Sequence, residues 1–158
     1  MTIENRILFC DLDGVLADFA EGVKRKMGKY PDELDQKLMW SVLKRSKNFY
    51  ENLPWMPEGK ALWEKIKKYN PIILTGCPYG RWAETQKLNW CARELGINFK
   101  VIVCHTRDKP KFCLYGSILI DDRAVIMKEW VQKGGKYLLY SEGNLDAICD
   151  AVDGYINE

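Results

Sequence analysis

Ile7-Leu-Phe-Cys-Asp11-Leu-Asp13-Gly-Val-Leu-Ala-Asp18 is the stretch of this 158-residue sequence that decides the fold. Its apolar start ends at two acids and a glycine, which is typical of a short strand buried in a parallel sheet. Side chains alternate along a strand, so the carboxylates of Asp11 and Asp13 point the same way. They would lie at the carboxyl end of the strand, where open α/β sheets bind their ligands. Gly14 would let the chain turn sharply there.

The paired acids Asp11 and Asp13 admit more than one interpretation. Two adjacent negative charges are costly unless something neutralises them, and a divalent cation is the usual partner. The simplest alternative is that both side chains end the strand in solvent. A calcium loop starting at Asp11 fails on spacing, because its sixth residue would be Leu16 rather than glycine and its twelfth Gly22 rather than glutamate. We favour a metal and phosphate site on the strand.

The composition indicates a single domain, residues 1–158, and argues against several partners. The chain has 24 lysines and arginines, 22 acids and a net charge of +2, which gives no reason to expect bulk nucleic-acid binding or attraction to a membrane. No apolar stretch is long enough to span a membrane, and residues 1–6 lack the apolar region of a signal peptide. We expect a cytoplasmic protein. The oligomeric state is left open, a homodimer included.

The cysteines and the single histidine do not form a recognisable site. The 6 cysteines are scattered without a Cys-x-x-Cys pair, which favours reduced, buried thiols over disulfides or a zinc site. His105 has too few neighbouring ligands to hold a metal, and we expect a loop histidine. A nucleophile activated by histidine is therefore not the general plan of this protein.

Short apolar runs alternate with helical patterns along the rest of the chain. Further strands are predicted at 71–75, 100–104, 117–122 and 136–140, and helices at 15–27, 57–69, 80–95, 123–132 and 144–156. Residues 18–56 carry no strand signal and are predicted to form a small helical cap inserted after the first strand. In the helix over 80–95, the predicted apolar face consists of Trp82, Thr85, Leu88 and Ala92. The alternation predicts a three-layer α/β fold around a mainly parallel five-stranded sheet.

Several predicted strands end in residues suited to chemistry. The first ends at Asp11 and Asp13, the second at Thr75, and the fourth at Asp121 and Asp122. In a parallel sheet these ends share one edge, so the side chains are expected to converge. With a lysine from the stretch 107–111, the set suits magnesium and a phosphate group, because carboxylates bind the cation while a hydroxyl and an ammonium bind phosphate oxygens.

These segments resemble the four motifs of the haloacid dehalogenase (HAD) superfamily: Asp11-Leu-Asp-Gly-Val-Leu-Ala-Asp18, Ile-Leu-Thr75-Gly, a downstream lysine, and Ile-Leu-Ile-Asp121-Asp122-Arg. Within it, the sequence is similar to the 5'(3')-deoxyribonucleotidase family. That family's Ser-Lys-Asn-Phe segment recurs at 46–49, its Leu-x-Pro-x-Pro-Gly segment is similar to 53–59, and its Arg-Asp-Lys recurs at 107–109. The resemblance spans most of the chain and implies a HAD-like Rossmannoid fold.

The resemblance implies a magnesium-dependent phosphomonoesterase acting on (deoxy)nucleoside monophosphates. Asp11 would attack phosphorus, and Asp13 would protonate the leaving oxygen and later activate water. Thr75 and the motif lysine would hold the phosphoryl oxygens. Asp11, the main-chain carbonyl of Asp13 and Asp122 would bind Mg²⁺, with Asp121 supporting them.

Two departures from the family pattern concern phosphate binding. The family has Thr-Ser-Pro where this chain has Thr75-Gly76-Cys-Pro, so one hydroxyl ligand is missing and the N–H of Gly76 would have to serve instead. The motif lysine is ambiguous: Lys111 keeps the family's spacing to the acidic pair, and Lys109 keeps the local Arg-Asp-Lys context. We prefer Lys111, with Lys109 as the alternative. Either lysine alone would also be compatible with an ordinary solvated side chain.

Substrate specificity is expected to reside in the inserted segment. Its aromatic side chains Phe19, Trp40 and Phe49 are candidates to stack on a base, at ~1–3 kcal/mol each. The alternative is that these rings form core, which is what aromatics at helical spacing usually do. The segment is also shorter than the family's cap and lacks part of its aromatic-lined segment.

Other classes of protein fit the sequence less well. A tyrosine phosphatase needs an arginine six positions after its cysteine, and Arg81 follows Cys77 too closely. The Gly-x-x-x-x-Gly-Lys motif of phosphate-loop kinases does not occur in the sequence. A HAD phosphatase for another small phosphate ester or a nucleic-acid end is a second enzyme hypothesis. A phospho-accepting signalling module is the alternative from another class, and Asp13 argues against it, because a durable phospho-aspartate needs no acid/base. A catalytically silent binding protein is disfavoured because every motif residue is present.

Overall fold

The computed structural model describes residues 6–78 and 80–158. Residues 1–5, which contributed to the expectation that a signal peptide is absent, lie outside the described residues. Among the described residues, no helix is long and apolar enough to cross a membrane.

The described residues form a five-stranded sheet in which all pairings are parallel. The strand order is β3-β2-β1-β4-β5, with β1 at the centre. The strands are Leu8–Cys10 (β1), Ile72–Gly76 (β2), Val101–Cys104 (β3), Ile118–Asp121 (β4) and Lys136–Leu139 (β5). Because the chain continues to one side of β1 first and to the other side later, β1 marks the switch point of the topology, where ligand crevices open in such folds.

Helices occupy the connections between the strands, as the alternating pattern predicts. The α-helices are Phe19–Met27 (α1), Gln36–Arg45 (α2), Gly59–Ile66 (α3), Glu84–Glu94 (α4), Met127–Gln132 (α5) and Leu145–Ile156 (α6). Short 3-10 helices span Pro31–Glu33, Lys67–Tyr69 and Thr106–Phe112. The sequence-based prediction of an α/β fold around a parallel five-stranded sheet is confirmed.

The sheet is covered on both faces because its strands are apolar on both faces. One core contains Leu8, Cys10, Ile73 and Ile120 and extends to the buried rings of the helices. The other contains Phe9, Leu74 and Leu119, and there Phe9 meets Trp130 of α5 edge to face, with 5.5 Å between the ring centroids. The alternation along β1 therefore divides its residues between two helical layers.

The first helix begins later than predicted, at Phe19 rather than near Val15. Residues 14–17 form turns instead, in which the N–H of Gly14 donates to the carbonyl of Ala17. Asp18 then caps α1 by accepting a hydrogen bond from the N–H of Glu21 at 3.0 Å, which satisfies an otherwise unpaired donor of the first turn. The helix starts where a side chain can cap it.

The buried face of α4 is not the predicted one. Thr85, Leu88 and Ala92 are exposed, whereas the buried residues include Lys87, Trp90 and Cys91. Both sets follow a helical period, and they differ only in phase. The buried set includes a lysine, which weakens its apolar signal in the sequence.

Candidate active site

The site is built at the carboxyl end of β1. The N–H of Asp11 donates to the carbonyl of Ile120 at 2.9 Å, so this residue still follows the sheet. Gly14 then takes a φ of +85°, and a Cβ there would lie 2.1 Å from the Oδ2 atom of Asp122. Glycine is therefore required twice at this turn, for its backbone angle and for the close approach of Asp122.

Three of the predicted acids converge as expected from the sheet. Asp11, Asp121 and Asp122 each offer an oxygen, and these atoms lie within 4.8 Å of one another. Asp11 and Asp121 are buried. Carboxylate oxygens are the ligands that magnesium prefers, so the residues present fit a divalent cation. The side chain of Asp13 points elsewhere, which leaves its main-chain carbonyl as the group it could offer to that cation.

The acid cluster contains more negative charge than its neighbours neutralise. Burial, together with the carboxylates of Asp121 and Asp122, raises the pKa of Asp11 well above its ordinary value, although Lys109 opposes the shift. Burial and the charge of Asp121 raise the pKa of Asp122 to about 6. A cation bound among these groups would favour their ionised forms.

The lysine of the cluster is Lys109, and the preference for Lys111 is wrong. The Nζ atom of Lys109 lies 3.1 Å from Oδ1 of Asp11 and 3.0 Å from Oδ2 of Asp121. Burial alone would lower the pKa of Lys109, but these two carboxylates raise it above its ordinary value. Lys111 instead pairs with Asp108 at 2.9 Å on the surface. Residues three apart eclipse in a 3-10 helix, so Lys109 and Lys111 cannot face the same side.

Lys87 is a site residue that the sequence analysis missed. Its side chain is 1% exposed, and its Nζ atom donates to Oδ2 of Asp13 at 2.6 Å. The same ammonium lies 3.1 Å from Oγ1 of Thr75 and also donates to the carbonyl of Gly76. Its position within the stripe Ala83, Lys87, Trp90 and Cys91 is the signal that could have identified it.

Lys87 determines how Asp13 is held. Oδ2 of Asp13 is paired with the ammonium, whereas Oδ1 is buried without a hydrogen-bond partner among the described residues. The ammonium also lies 4.6 Å from the centroid of the Tyr50 ring, a cation–π contact from the helical segment that follows β1. Lys87 therefore fixes one oxygen of Asp13, while the other is buried and unpaired among the described residues.

A cavity of about 520 Å³ opens over these groups, a size typical of small-molecule sites. Phe19, Trp40 and Tyr50 contribute to its wall together with Asp11, Asp13, Gly76, Thr106, Lys109, Asp122 and Arg123. Phe19 and Trp40 face each other with ring centroids 5.6 Å apart. The cavity thus joins the acidic site to an aromatic wall, while Thr75 lies fully buried beside it.

Phe49 does not belong to that wall, contrary to its prediction as a substrate contact. It is 7% exposed and packs edge-on against Phe19 and Tyr50, with ring centroids 5.7 and 5.2 Å apart. A Cβ added to Gly22 would lie 3.6 Å from its ring. Phe49 therefore supports the wall from behind, packed against the rings of Phe19 and Tyr50 and close to α1.

The order of the parallel strands defines a Rossmann-like α/β fold, and solved structures of hydrolases, among them one of the HAD superfamily, have a similar fold. A HAD-superfamily hydrolase from Ehrlichia chaffeensis is 15% identical with a TM-score of 0.54, covering 96% of this chain and 97% of the other. A hydrolase from Streptococcus pneumoniae TIGR4 is 14% identical with a TM-score of 0.52, covering 94% and 100%. A dehalogenase is 13% identical with a TM-score of 0.52, covering 91% and 88%. No protein-family model and no curated protein matches the chain.

Proposed function

We propose that this protein is a phosphomonoesterase that works through an aspartyl-phosphate intermediate. The observation that carries the proposal is the cluster of Asp11, Asp121, Asp122 and Lys109 beside a cavity that also contains Asp13. A carboxylate nucleophile needs neighbouring positive charge to approach a phosphate dianion, and a divalent cation held by this cluster would supply it.

Asp11 is the nucleophile in this proposal. One of its oxygens attacks phosphorus, the bond from phosphorus to the leaving oxygen breaks, and Asp13 gives its proton to that oxygen. Water then attacks the phosphorus of the intermediate while Asp13 accepts its proton, and the bond to Asp11 breaks to release phosphate. Lys109 and the N–H of Gly76 hold the phosphoryl oxygens, and the buried Thr75, bonded to Lys87, supports them from beneath the cavity.

Magnesium is the cation we propose for the acid cluster. Asp11, Asp122 and the carbonyl of Asp13 would hold it, with Asp121 supporting them through its contacts to Lys109 and to the N–H of Arg123. Bound there, it would offset the charge of the nucleophile and the phosphate.

Lys87 acts as a positioning residue for Asp13. Its ammonium holds Oδ2 at 2.6 Å, which fixes the orientation of the Asp13 carboxylate beside the cavity. Proton transfer requires hydrogen-bond distance between the general acid and the leaving oxygen, so a contact that fixes the orientation of the acid favours the reaction.

The substrate class we propose is the (deoxy)nucleoside monophosphates, as in the 5'(3')-deoxyribonucleotidases. The support is the aromatic wall, since Phe19 and Trp40 line the cavity that holds the acids, and such rings bind bases by stacking. A different small phosphate ester is the second candidate, because the phosphoryl chemistry does not depend on the leaving group.

A phosphate-release screen tests both levels of the proposal. Deoxynucleoside and ribonucleoside monophosphates, sugar phosphates and 4-nitrophenyl phosphate are each assayed with Mg²⁺ and with chelator. We expect Mg²⁺-dependent turnover with the nucleotides preferred. Turnover of sugar phosphates alone would refute the nucleotidase assignment, and a pure sample inert toward every ester would refute the phosphatase assignment.

A further inference from the structure

Gly76 leaves a space beside the phosphate-binding strand, and a side chain from another segment fills it. A Cβ on Gly76 would lie 2.3 Å from Oγ1 of Thr106, and 3.5 Å from the Cβ of the same threonine. The φ of Gly76 lies outside the left-handed region, so the backbone does not require glycine. The hydroxyl of Thr106 therefore occupies the volume that a side chain at position 76 would take.

Thr106 shares its direction with Lys109. Both belong to the 3-10 helix Thr106–Phe112, where residues three apart eclipse one another. Lys109 reaches Asp11 and Asp121, and Thr106 lines the cavity together with Lys109 and Asp11. The helix thus presents one ammonium and one hydroxyl to the same space.

The hydroxyl of Thr106 is also available to a ligand. Within residues 6–78 and 80–158, its Oγ1 makes no side-chain hydrogen bond. The hydroxyl of Thr75 differs, because it accepts from Lys87 at 3.1 Å and lies 3.4 Å from the carbonyl of Gly76. A half-buried hydroxyl without a partner among these residues can donate to an acceptor bound in the cavity.

We propose that Thr106 binds the phosphoryl group of the substrate, supplying from the 3-10 helix the hydroxyl that Gly76 lacks. This inference rests on the proposed phosphomonoesterase activity and assigns a further ligand to its phosphoryl group. Thr106 donates to a phosphoryl oxygen between Lys109 and the N–H of Gly76. A hydrogen bond to a charged oxygen is among the stronger ones, so its loss is expected to be measurable.

A matched pair at position 106 tests the hydroxyl itself. Thr106→Val keeps the shape without the hydroxyl, and we expect kcat/KM for 4-nitrophenyl phosphate to fall about 10- to 100-fold. Thr106→Ser keeps the hydroxyl and is expected to stay within about threefold of the unmodified protein. Binding of inorganic phosphate, followed by tryptophan fluorescence, should weaken in the valine variant alone. Unchanged kinetics in Thr106→Val would overturn the proposal.

Moving the hydroxyl from position 106 to position 76 tests its placement. Gly76→Ser alone should be impaired, because its Cβ would clash with Thr106, whereas with Thr106→Ala the nearest remaining atom is 3.5 Å away. We expect Thr106→Ala/Gly76→Ser to recover most of the activity that Thr106→Ala loses, and Thr106→Ala/Gly76→Ala to recover none. Equal activity of the two double variants, at equal melting temperatures, would refute the placement. An unmodified protein without turnover of any phosphomonoester would instead refute the proposed function.

Discussion

Replacing Lys87 by methionine is the most informative perturbation of this site. Methionine retains the length and apolar stem of the side chain, which is 1% exposed, and removes only the ammonium. Asp13 then loses the partner of Oδ2, while Oδ1 already lacks one. The side chain of Asp13 is 23% exposed, so it can turn toward water, and we expect the free energy of unfolding to fall by about 1.5–3 kcal/mol.

The catalytic loss should depend on the leaving group. A positioned general acid contributes about 10²- to 10⁴-fold, and an alkyl leaving group needs that proton far more than 4-nitrophenolate does. We expect kcat/KM for a nucleoside monophosphate to fall by about 10²-fold or more, and that for 4-nitrophenyl phosphate by less than about tenfold. Because hydrolysis of the intermediate also needs Asp13, a burst of 4-nitrophenolate should precede slow turnover.

The assay compares both substrates in Lys87→Met, Asp13→Asn and the double variant. If Lys87 acts through Asp13, the double variant should be no slower than Asp13→Asn, since the two residues then work as a unit. Lys111→Met makes the same replacement at an exposed lysine and should leave both substrates within about twofold. Equal losses on the two substrates, or additive losses in the double variant, would refute the positioning role.

Three further predictions follow from the charges and rings of the site. Asp11→Asn should abolish turnover and, by removing a repelled charge, should raise the melting temperature measured in chelator; retained turnover would exclude Asp11 as the nucleophile. Burial raises the pKa of Asp122 from its ordinary 3.8 to about 6, so between these pH values the folded state binds more protons than the unfolded state. The free energy of unfolding in chelator should therefore fall by on the order of 3 kcal/mol as the pH rises through that window. Asp122→Asn should flatten this profile in thermal unfolding, and Mg²⁺ should restore the lost stability above pH 6. Trp40→Ala should lower kcat/KM for nucleotides by about 10-fold or more relative to 4-nitrophenyl phosphate. Phe49→Ala should instead lower the free energy of unfolding by about 3–5 kcal/mol and change kcat/KM for both esters alike. A loss specific to nucleotides in Phe49→Ala would show that this ring contacts the substrate.

The acidic part of the site was predictable because strand ends in a parallel sheet are geometrically constrained. Asp11, Thr75 and Asp121 each close an apolar run, and the sheet brings such positions to one edge whatever the lengths of the connections. Only the order of strands was needed to make them neighbours. That information is local and readable from apolar patterning.

The two lysines were harder to predict because their directions depend on helix phase and type. Spacing along the chain favoured Lys111, but the segment is a 3-10 helix, in which Lys109 and Thr106 share a face. Lys87 interrupts an otherwise apolar stripe on α4, and hydropathy assigns lysine to solvent. A buried lysine is stable only with partners, and its partner Asp13 lies 74 residues away in the sequence.

The distribution of these charges makes a divalent cation and a phosphate mutually dependent ligands. Each ammonium is committed to carboxylates, Lys109 to Asp11 and Asp121 and Lys87 to Asp13. Asp122 is the fourth acid of the site. When all of these groups are ionised, the four acids outweigh the two lysines by two charges, so a phosphate dianion entering alone would be repelled. A divalent cation removes that excess and so raises the affinity for phosphate. By linkage, bound phosphate must raise the affinity for the cation by the same factor. Phosphate affinity in chelator should therefore be weak even though the hydroxyl and ammonium groups that would bind it are already in place.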